Sequence, residues 1–393
     1  MTTKTMIAGV GMVKFTKPGK NEQYDVMGAR AARAALDDAG IPYEAVQQAY
    51  VGFVSGDTCS GQTALYGLGL TQIPIINVNN ACATGSTALY LARQAVMSGA
   101  ADVALALGFE QMNPGALSAD GAGRTPITVR IDEAMRSIRG YDEAVPAGLQ
   151  YFGGAGAEYL DKYDASPELF GQISVKARSH AVRNPYALFS EPLTLDQVMG
   201  APHIYGPLTR LMCCPPTCGA AAVVVVSEKY AREHGLAQPV EIAGIALCTD
   251  GDASFHSGSM LNVVGASVTR KAAGLAYSEA GIDAADIDVV ELHDCFSPNE
   301  AISYEALGLC PEGGASKFVR DGDNTYGGRV VTNPSGGLLS KGHPLGATGL
   351  AQITELTWHL RGSAGERQVE GAKLAVQHNI GLGGAGVVTV LKR

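Results

Sequence analysis

The sequence predicts an α/β protein built from two duplicated halves, in which β-sheets are covered by helices. The first observation is a repeat. Residues 31–52 read AARAALDDAGIPYEAVQQAYVG, and residues 272–293 read AAGLAYSEAGIDAADIDVVELH. In both copies an alanine-rich helix ends at Ala-Gly-Ile, and a short polar loop leads to an apolar strand. Gly40 and Gly281 stand where a helix end needs a left-handed residue.

A second observation extends the repeat to the next helix and strand. The segment CATGSTALYLARQ begins at Cys82, the segment HPLGATGLAQITE begins at His343, and each leads through an apolar-periodic helix to a strand. Strands that alternate with helices predict parallel β-structure covered on both faces. Because the order of elements repeats as well, we interpret the two halves as a duplication.

The repeat sets the predicted domains. Residues 1–113 form the N-terminal half, completed by a returning strand within 206–236, and residues 237–393 form the C-terminal half. Residues 114–205 show no clear period and are predicted to form an inserted loop domain, either solvated or acting as a lid that binds an anionic ligand. The cations of this insertion are Arg124, Arg130, Arg136, Arg139, Lys162, Lys176, Arg178 and Arg183.

Composition excludes several classes of function. Hydrophobic residues make up 46% of the 393 residues, so the chain can bury a large core. The net charge of -9 argues against nucleic acid as a partner. We expect no membrane span, because no apolar run reaches about 18 residues. The short apolar run near the N-terminus and the final Leu391-Lys392-Arg393 match neither a secretion signal nor a peroxisomal signal, so the expected location is the cytoplasm.

The eight cysteines are expected to be reduced, as core residues or catalytic thiols. No CxxC pair accompanies suitably spaced histidines, so no metal site is expected. Cys82 follows the strand IINV and comes just before a predicted helix. Backbone amides at a helix start favour a thiolate, so we expect a lowered pKa and a nucleophilic role. The alternative role for Cys82 is that of a small core residue.

Three further segments contain candidate site residues. His343 precedes a helix among glycines and Pro344, where we expect a neutral imidazole that can act as a base, or else a packing residue. His293 and Cys295 follow the strand DVVEL, and an extended segment would point both side chains into one cavity. The turn around Gly383 suits a backbone oxyanion hole, although taken alone an ordinary hairpin turn is the default explanation.

Together these segments resemble the thiolase family, in particular its SCP2-type branch. The likeness runs from about Gly9 to Arg393, and its most specific segments are NNACATGSTAL, ELHDCFSPNE, GDNTYGG, NPSGGLLSKGHPLGATGLAQ and QHNIGLGG. Most thiolases have an Asn-Glu-Ala-Phe loop and a second cysteine in a C-terminal Cys-x-Gly loop. This chain has His293-Asp294-Cys295-Phe296 and Gly381-Leu382-Gly383 instead, which is the SCP2-type pattern.

The resemblance implies a thiolase fold, in which two βαβαβ-type halves with mixed sheets form five layers, αβαβα. It also implies roles for the candidate residues. Cys82 would be the nucleophile and His343 the group that activates it. Cys295 would replace the missing acid/base thiol, and His293 would orient a water. The remaining implied contacts are the backbone amides of Cys82 and Gly383 as an oxyanion hole, His378 as an additional site residue, and Ser335 and Gly336 as substrate contacts.

The resemblance also implies an activity and its partners. The activity is thiolytic cleavage of 3-oxoacyl-CoA, or the reverse Claisen condensation, in fatty-acid or branched or sterol side-chain degradation. Coenzyme A and acyl-CoA are substrates, no cofactor is tightly bound, and the protein is expected to be a homodimer or a dimer of dimers. Cys218 stands where the family usually has Asp, with no consequence that the sequence reveals.

Two other functions remain open at this point. One is a carbon–carbon lyase of the same fold, such as a steroid side-chain aldolase, which needs no nucleophilic cysteine and works with a partner protein. The other is a non-catalytic module that binds coenzyme A or lipid, which predicts damaged catalytic segments. The intact segment around Cys82 favours the thiolase.

Overall fold

The structure is a computed structural model that describes residues 3–113 and 125–393. Its strands are β1 (Thr5–Met12), β2 (Gln48–Gly52), β3 (Ile75–Val78), β4 (Val103–Glu110), β5 (His203–Tyr205), β6 (Leu208–Thr209), β7 (Gly219–Ser227), β8 (Val240–Cys248), β9 (Val289–Glu291), β10 (Val331–Thr332), β11 (Leu374–Gly381) and β12 (Ala385–Lys392). Its helices are α1 (Tyr24–Ala39), α2 (Ser60–Tyr66), α3 (Thr84–Met97), α4 (Val129–Ile138), α5 (Ala147–Tyr163), α6 (Glu168–Ala181), α7 (Leu195–Met199), α8 (Glu228–Glu233), α9 (Asp252–His256), α10 (Met260–Val263), α11 (Ala266–Ala280), α12 (Ser297–Ala306), α13 (Ala315–Arg320), α14 (Gly337–Ser340) and α15 (Thr348–Arg361).

The strand order confirms the duplication. The N-terminal half runs β3-β2-β4-β7-β1, and the C-terminal half runs β10-β9-β11-β12-β8, which is the same order with equivalent strands. In each half the first three strands are parallel and the last two are antiparallel to their neighbours. The returning strand predicted for the N-terminal half is β7, a nine-residue strand that is buried throughout.

The two half-sheets join into one sheet of ten strands. The join is an antiparallel pairing of β1 with β8, formed by Met6 opposite Glu241 and Ile7 opposite Val240. Only the first residues of these two strands meet. Both helix C-caps predicted by the repeat are confirmed, since Gly40 and Gly281 have φ angles of 65° and 63°.

The helices form the predicted layers. Helices α1 and α11 pack on the outer faces of their half-sheets, while α3 and α15 pack against each other between the halves. Glycines permit the close contact at the start of these two helices. A Cβ on Gly85 would lie 2.8 Å from the Gly346 carbonyl oxygen, and one on Gly349 would lie 2.1 Å from Ser86 Oγ. The loops before α3 and α15 therefore meet at one point.

The inserted segment is more regular than its sequence predicts. Where no period was evident, the described part of 114–205 contains α4, α5, α6 and α7. Helix α5 buries Tyr151, Phe152 and Tyr159 in a core cluster shared with the C-terminal half, including Ile302 and Tyr304. Helix α5 is buried between neighbouring elements, so apolar residues occur around much of its circumference. Its sequence therefore shows no clear 3.6-residue period of apolar positions.

The domain boundaries stay a prediction. None of the described helices combines the length and the apolar character needed to cross a bilayer.

Candidate active site

The loop that contains Cys82 connects β3 to α3, as predicted. The Thr84 hydroxyl accepts a hydrogen bond from the Asn80 amide at 2.8 Å and donates one to the Ala81 carbonyl at 2.6 Å. Gly381 packs against the same loop, since a Cβ there would lie 2.0 Å from the Asn80 carbonyl oxygen. These contacts hold the half-buried Cys82 in place at the N-terminal end of α3.

Two histidines from the C-terminal half converge on this thiol. The Cys82 sulfur, a ring nitrogen of His293 and a ring nitrogen of His343 all lie within 4.8 Å of one another. The two rings have centroids 5.1 Å apart and an interplanar angle of 84°. Cys82 and His343 are more than 200 positions apart in the sequence, and His293 lies between them. The structure brings all three together, as their candidate roles require.

His343 is oriented by two hydrogen bonds. Its backbone amide donates to the Thr217 hydroxyl at 3.1 Å, and its Nδ1 lies 2.8 Å from the Thr348 hydroxyl. Its Nε2 is buried without a hydrogen-bond partner among the described residues. Burial lowers the pKa of His343 to about 3. The predicted neutral imidazole is confirmed, with desolvation as its cause.

The predicted low pKa of Cys82 is wrong for the free protein. Burial, and to a smaller extent the negative charge of Glu110, raise the pKa of the thiol to about 12. Desolvation of a thiolate outweighs the favourable position before α3. Cys82 and His343 therefore rest as a neutral thiol and a neutral imidazole, and proton transfer between them has to accompany attack on a substrate.

Glu110 is a site residue that the sequence analysis missed. Its buried carboxylate accepts hydrogen bonds from the amides of Val54, Ser55 and Gly346, at 3.1, 2.8 and 2.9 Å. It thus ties the end of β2 to the loop that contains His343. Burial raises the pKa of this carboxyl, while the three amides oppose the rise. In the sequence Glu110 is only the last residue of an apolar strand, which is no signal of function.

His293 lies at the end of β9 and is 2% exposed. Burial lowers its pKa well below the usual value, and the neighbouring His343 and His378 lower it further. Its Nδ1 is 2.8 Å from the Asn379 side-chain nitrogen. The next residue, Asp294, accepts hydrogen bonds from the amides of Leu338 and Leu339, at 2.7 and 3.3 Å. Asp294 therefore connects the His293 loop to the segment before His343.

Cys295 is placed differently from the prediction. The chain is not extended here, because the Asp294 amide donates to the Leu292 carbonyl in a tight turn at 3.1 Å. Cys295 is 5% exposed and is not one of the three groups that converge within 4.8 Å. Burial raises the pKa of its thiol well above the usual value, with smaller contributions from Cys214 and Cys82.

No residue of the segment 213–218 was predicted to belong to the site, yet this segment bridges the loop of Cys295 and the loop of His343. The Cys214 amide donates to the Cys295 carbonyl at 2.9 Å, and Thr217 accepts from the His343 amide. The pKa of Cys214 is raised well above the usual value by burial and then by Cys213 and Cys82. Cys214 is therefore a second thiol beside the site, and no spacing in the sequence indicated this.

A cavity opens beside the Cys82 loop. It has a volume of about 370 Å³ and is lined by residues 79–81 and 381–385, with Val54 and Ile127. A neighbouring cavity of about 410 Å³ shares Ile127, Gly383 and Gly384, and it includes Arg130. Gly383 has a φ angle of 100°, which only glycine adopts readily. Gly383 thus lines the cavity wall, and its oxyanion role stays a prediction.

In this structure Ser335 and Gly336 contact other parts of the protein framework. Ser335 is fully buried, and its hydroxyl and amide both donate to Glu291, at 2.7 and 3.0 Å. Gly336 packs against Ala181. Neither residue offers a free polar group to a substrate, so their predicted contact with substrate finds no support in the geometry.

His378 is also buried, and its Nε2 is 2.9 Å from the Thr269 hydroxyl of α11. Burial lowers its pKa to about 3. It lies behind His293 in β11, and it does not belong to the cluster around Cys82. A direct role in the site stays a prediction.

The cations of the insertion divide into two groups. Arg136, Arg139 and Lys162 form exposed ion pairs, and Lys176 forms a buried one with Glu300. Arg130, Arg178 and Arg183 form no ion pair within the described ranges, and Arg130 lines the cavity of about 410 Å³ beside the site. Arg124 lies outside the described residues.

Comparison with known proteins identifies the family. The thiolase N-terminal domain profile matches residues 5–229, and the profile described as thiolase C-terminal domain-like matches residues 251–393. The chain belongs to the thiolase family. Sterol carrier protein 2 of Bos taurus is 52% identical over 404 residues, which cover 100% of this chain and 73% of that protein. The predicted family and the predicted fold are confirmed.

Two further similar proteins bear on activity. The benzoylsuccinyl-CoA thiolase subunit BbsB of Thauera aromatica is 38% identical over 384 residues, which cover 97% of this chain and 95% of that subunit. Among solved structures, the Ltp2-ChsH2(DUF35) aldolase aligns with a TM-score of 0.83 and 25% identity, covering 100% of this chain and 98% of that one. This chain, a member of a family of thiolase-type acyltransferases, is thus similar both to a thiolase and to an aldolase, which is a carbon–carbon lyase.

Proposed function

We propose that this thiolase cleaves 3-oxoacyl-CoA with coenzyme A, or performs the reverse condensation, through an acyl-thioester on Cys82. The observation that supports the proposal is the convergence of the Cys82 sulfur with ring nitrogens of His293 and His343 within 4.8 Å. A nucleophile beside an oriented base is the arrangement that covalent catalysis requires. The 38% identical benzoylsuccinyl-CoA thiolase subunit supports a coenzyme A thioester as the substrate.

The hydrogen bonds of His343 make it the base. The Thr348 hydroxyl donates its proton to the Pro344 carbonyl at 2.9 Å, so towards His343 its oxygen can only accept. The proton of the neutral ring therefore lies on Nδ1, and the lone pair lies on Nε2. That Nε2 is the buried nitrogen without a partner, which leaves it free to accept the proton of Cys82.

The proposed steps balance without a further reagent. The Cys82 sulfur attacks the 3-oxo carbon as its proton passes to His343 Nε2. The C2–C3 bond breaks, and the Cys295 thiol protonates the enolate of acetyl-CoA or propanoyl-CoA. A new coenzyme A thiol gives its proton to the Cys295 thiolate and attacks the acyl-Cys82 thioester. His343 then returns the first proton to Cys82. Coenzyme A is a substrate in these steps, and no resident cofactor takes part.

The test is a panel of straight-chain, branched and sterol side-chain 3-oxoacyl-CoAs, each incubated with and without coenzyme A. A thiolase consumes one coenzyme A per turnover and releases two thioesters. Cleavage that proceeds equally well without coenzyme A would contradict the proposal.

The second candidate is a lyase, favoured by the similarity to the Ltp2-ChsH2(DUF35) aldolase. A retro-aldol cleavage acts on a hydroxyl-bearing substrate and forms no acyl-enzyme. Such a cleavage would give no role to the Cys82 thiol, which lies beside the unpartnered Nε2 of His343. Accumulation of a covalent acyl group on the protein supports the thiolase and excludes the lyase.

Coenzyme A carries several negative charges, and we propose that Arg130 attracts them at the mouth of the site. Arg130→Gln should raise the dissociation constant of coenzyme A roughly five-fold, equivalent to about 1 kcal/mol for a screened charge pair. The effect should shrink as ionic strength rises from 0.05 to about 0.5 M. Calorimetric titration measures both. Arg139→Gln is the matched control, because Arg139 is already paired with Asp161; equal effects of the two changes would contradict this role for Arg130.

We also propose a homodimer, or a dimer of dimers, joined at the edge strand β3. This strand pairs with β2 on one side only, and Ile76 on it is 37% exposed. Exposed Tyr66 and Leu70 lie in the preceding segment. An open apolar edge is well suited to pair with a second copy. Ile76→Asp should shift the protein to monomers in sedimentation velocity, whereas Leu275→Asp, on the outer helix α11, should not. An unchanged sedimentation coefficient for Ile76→Asp would rule out this edge.

A further inference from the structure

A continuous chain of buried hydrogen bonds ends at His293, and we propose that it makes Asn379 a positioning residue. In this proposal, which rests on the proposed function, Asn379 holds the proton of neutral His293 on Nε2. His293 then presents an N–H donor to the site, whereas His343 presents a lone pair. The directions of the bonds up to Ser86 follow from backbone carbonyls, which can only accept, and the Ser86 hydroxyl then donates to the Asn379 side-chain oxygen.

The derivation starts at Gln352 in α15. Its side-chain nitrogen donates to the backbone carbonyls of Leu292 and His378, at 3.1 and 3.2 Å. A carbonyl cannot donate, so the amide of Gln352 cannot be flipped, and its oxygen must accept. The group facing that oxygen at 2.9 Å is the side-chain nitrogen of Gln377, which is therefore the donor.

The orientation of Gln377 determines the next two bonds. The same side-chain nitrogen donates to the Ser86 hydroxyl at 2.9 Å, and the Gln377 oxygen accepts from the Thr389 hydroxyl at 3.0 Å. Because Ser86 accepts from Gln377, its own proton is free to donate. It points to the Asn379 side-chain oxygen at 3.1 Å.

The orientation of the Asn379 side chain determines which of its atoms faces the His293 ring. Its oxygen accepts from Ser86, so its NH₂ group faces Nδ1 of His293 at 2.8 Å. An NH₂ group can only donate, so Nδ1 accepts and the proton of the neutral ring lies on Nε2. Ser86, Gln352, Gln377, Asn379 and Thr389 are all completely buried, so bulk water does not compete for these bonds.

The two histidines therefore have opposite tautomers. His343 donates from Nδ1 to Thr348 and keeps a basic Nε2, whereas His293 accepts at Nδ1 and keeps Nε2–H. An N–H donor suits a water or an oxyanion of the substrate, and it cannot remove a proton. A protonated ring nitrogen is also no metal ligand, so the chain disfavours a metal ion at Cys82, His293 and His343 although their spacing would admit one.

The chain also crosses between the duplicated halves. Ser86 belongs to α3 of the N-terminal half, and the other members belong to the C-terminal half. The tautomer of His293 thus depends on correct packing of the halves, at the point where α3 and α15 meet.

The first test needs no variant. In protein with ¹⁵N-labelled histidine side chains, long-range ¹H–¹⁵N spectra distinguish the tautomers, with assignment by His293→Gln and His343→Gln. We expect the proton on Nε2 for His293 and on Nδ1 for His343. A proton on Nδ1 of His293 would overturn the proposal, and this readout does not depend on turnover.

The second test is the pH profile of Asn379→Asp. A carboxylate at this position accepts from Nδ1–H, so neutral His293 would lose its Nε2 proton, and turnover above neutral pH should fall by about 10²- to 10³-fold, the usual cost of losing an oxyanion donor. The carboxylate also raises the pKa of His293. On acidification the imidazolium regains Nε2–H, so activity of the variant should recover as the pH falls, while His343 stays neutral.

Ser86→Ala covers the outcome in which Asn379→Asp fails to fold. It removes the donor that orients Asn379, and it should lower turnover roughly three- to ten-fold and give mixed tautomers of His293. Thr354→Val is the matched control. Thr354 is a buried hydroxyl on the same helix as Gln352, it bonds only to the Leu350 carbonyl, and its loss should change neither tautomer. A loss in Asn379→Asp that is equal at all pH values would mean a purely structural role and would overturn the proposal.

Discussion

Cys82→Ala is expected to lose turnover by roughly 10⁴-fold or more, the scale of removing a catalytic nucleophile. The thiol forms the covalent bond in both half-reactions, and no other described thiol lies within 4.8 Å of both His293 and His343. Binding of coenzyme A should change by a few-fold at most, because the cavity wall is built from other residues. Steady-state assays and calorimetric titration separate the two effects.

The location of the acyl group is the direct test of the nucleophile. Mass spectrometry of wild type incubated with an acyl-CoA should place the adduct on the peptide that contains Cys82. Cys59→Ala is a suitable control, because Cys59 is an exposed thiol away from the cluster. An adduct on Cys295 or Cys214 instead would overturn the assignment.

The raised pKa of Cys82 gives the same prediction a pH dependence. With a pKa of about 12, the thiol of the free protein is protonated throughout the neutral range, and its thiolate fraction increases with pH. Alkylation of Cys82 by iodoacetamide should therefore accelerate continuously from pH 6 to pH 9. A rate that levels off near neutral pH would indicate a thiolate–imidazolium pair, in conflict with the environment of both groups.

Cys295→Ala is expected to lose carbon–carbon cleavage by about 10²-fold or more, the usual contribution of an acid/base group. Cleavage produces an enolate that must be protonated. The high pKa of the buried Cys295 thiol keeps it protonated at neutral pH, which is the form that donates. Transfer of an acyl group from a simple acyl-CoA to Cys82 needs no such proton and should survive. Cys295→Ser should recover little, because a hydroxyl is too weak an acid.

Cys214→Ala is the matched control for this experiment. Cys214 is a neighbouring thiol with a similarly raised pKa, and its backbone contacts Cys295. We expect it to retain cleavage. If Cys214→Ala loses cleavage while Cys295→Ala does not, the acid is Cys214. If both variants cleave normally, the role moves to His293 or His378.

The sequence by itself determined the features that depend on local pattern and repetition. The helix ends at Gly40 and Gly281 follow from backbone conformation, which a residue type reveals directly. The paired segments beginning at Cys82 and His343 predicted the duplication that the strand order confirms. Their positions before predicted helices also suggested a nucleophile at Cys82 and a base at His343, and the structure brings these two residues together.

Only the tertiary structure decided how the site residues behave. Position before a helix predicts an acidic thiol at Cys82, yet burial and Glu110 raise its pKa, because desolvation depends on everything packed around the group. The turn at Asp294 and the neighbouring Cys214 depend on contacts between distant segments. The proton positions proposed for His293 and His343 rest on hydrogen bonds that join α3, α15 and β11, which only the packed structure brings together. The pKa values, side-chain positions and hydrogen-bond directions of the site depend on which groups pack around each residue. A local sequence pattern does not show those groups.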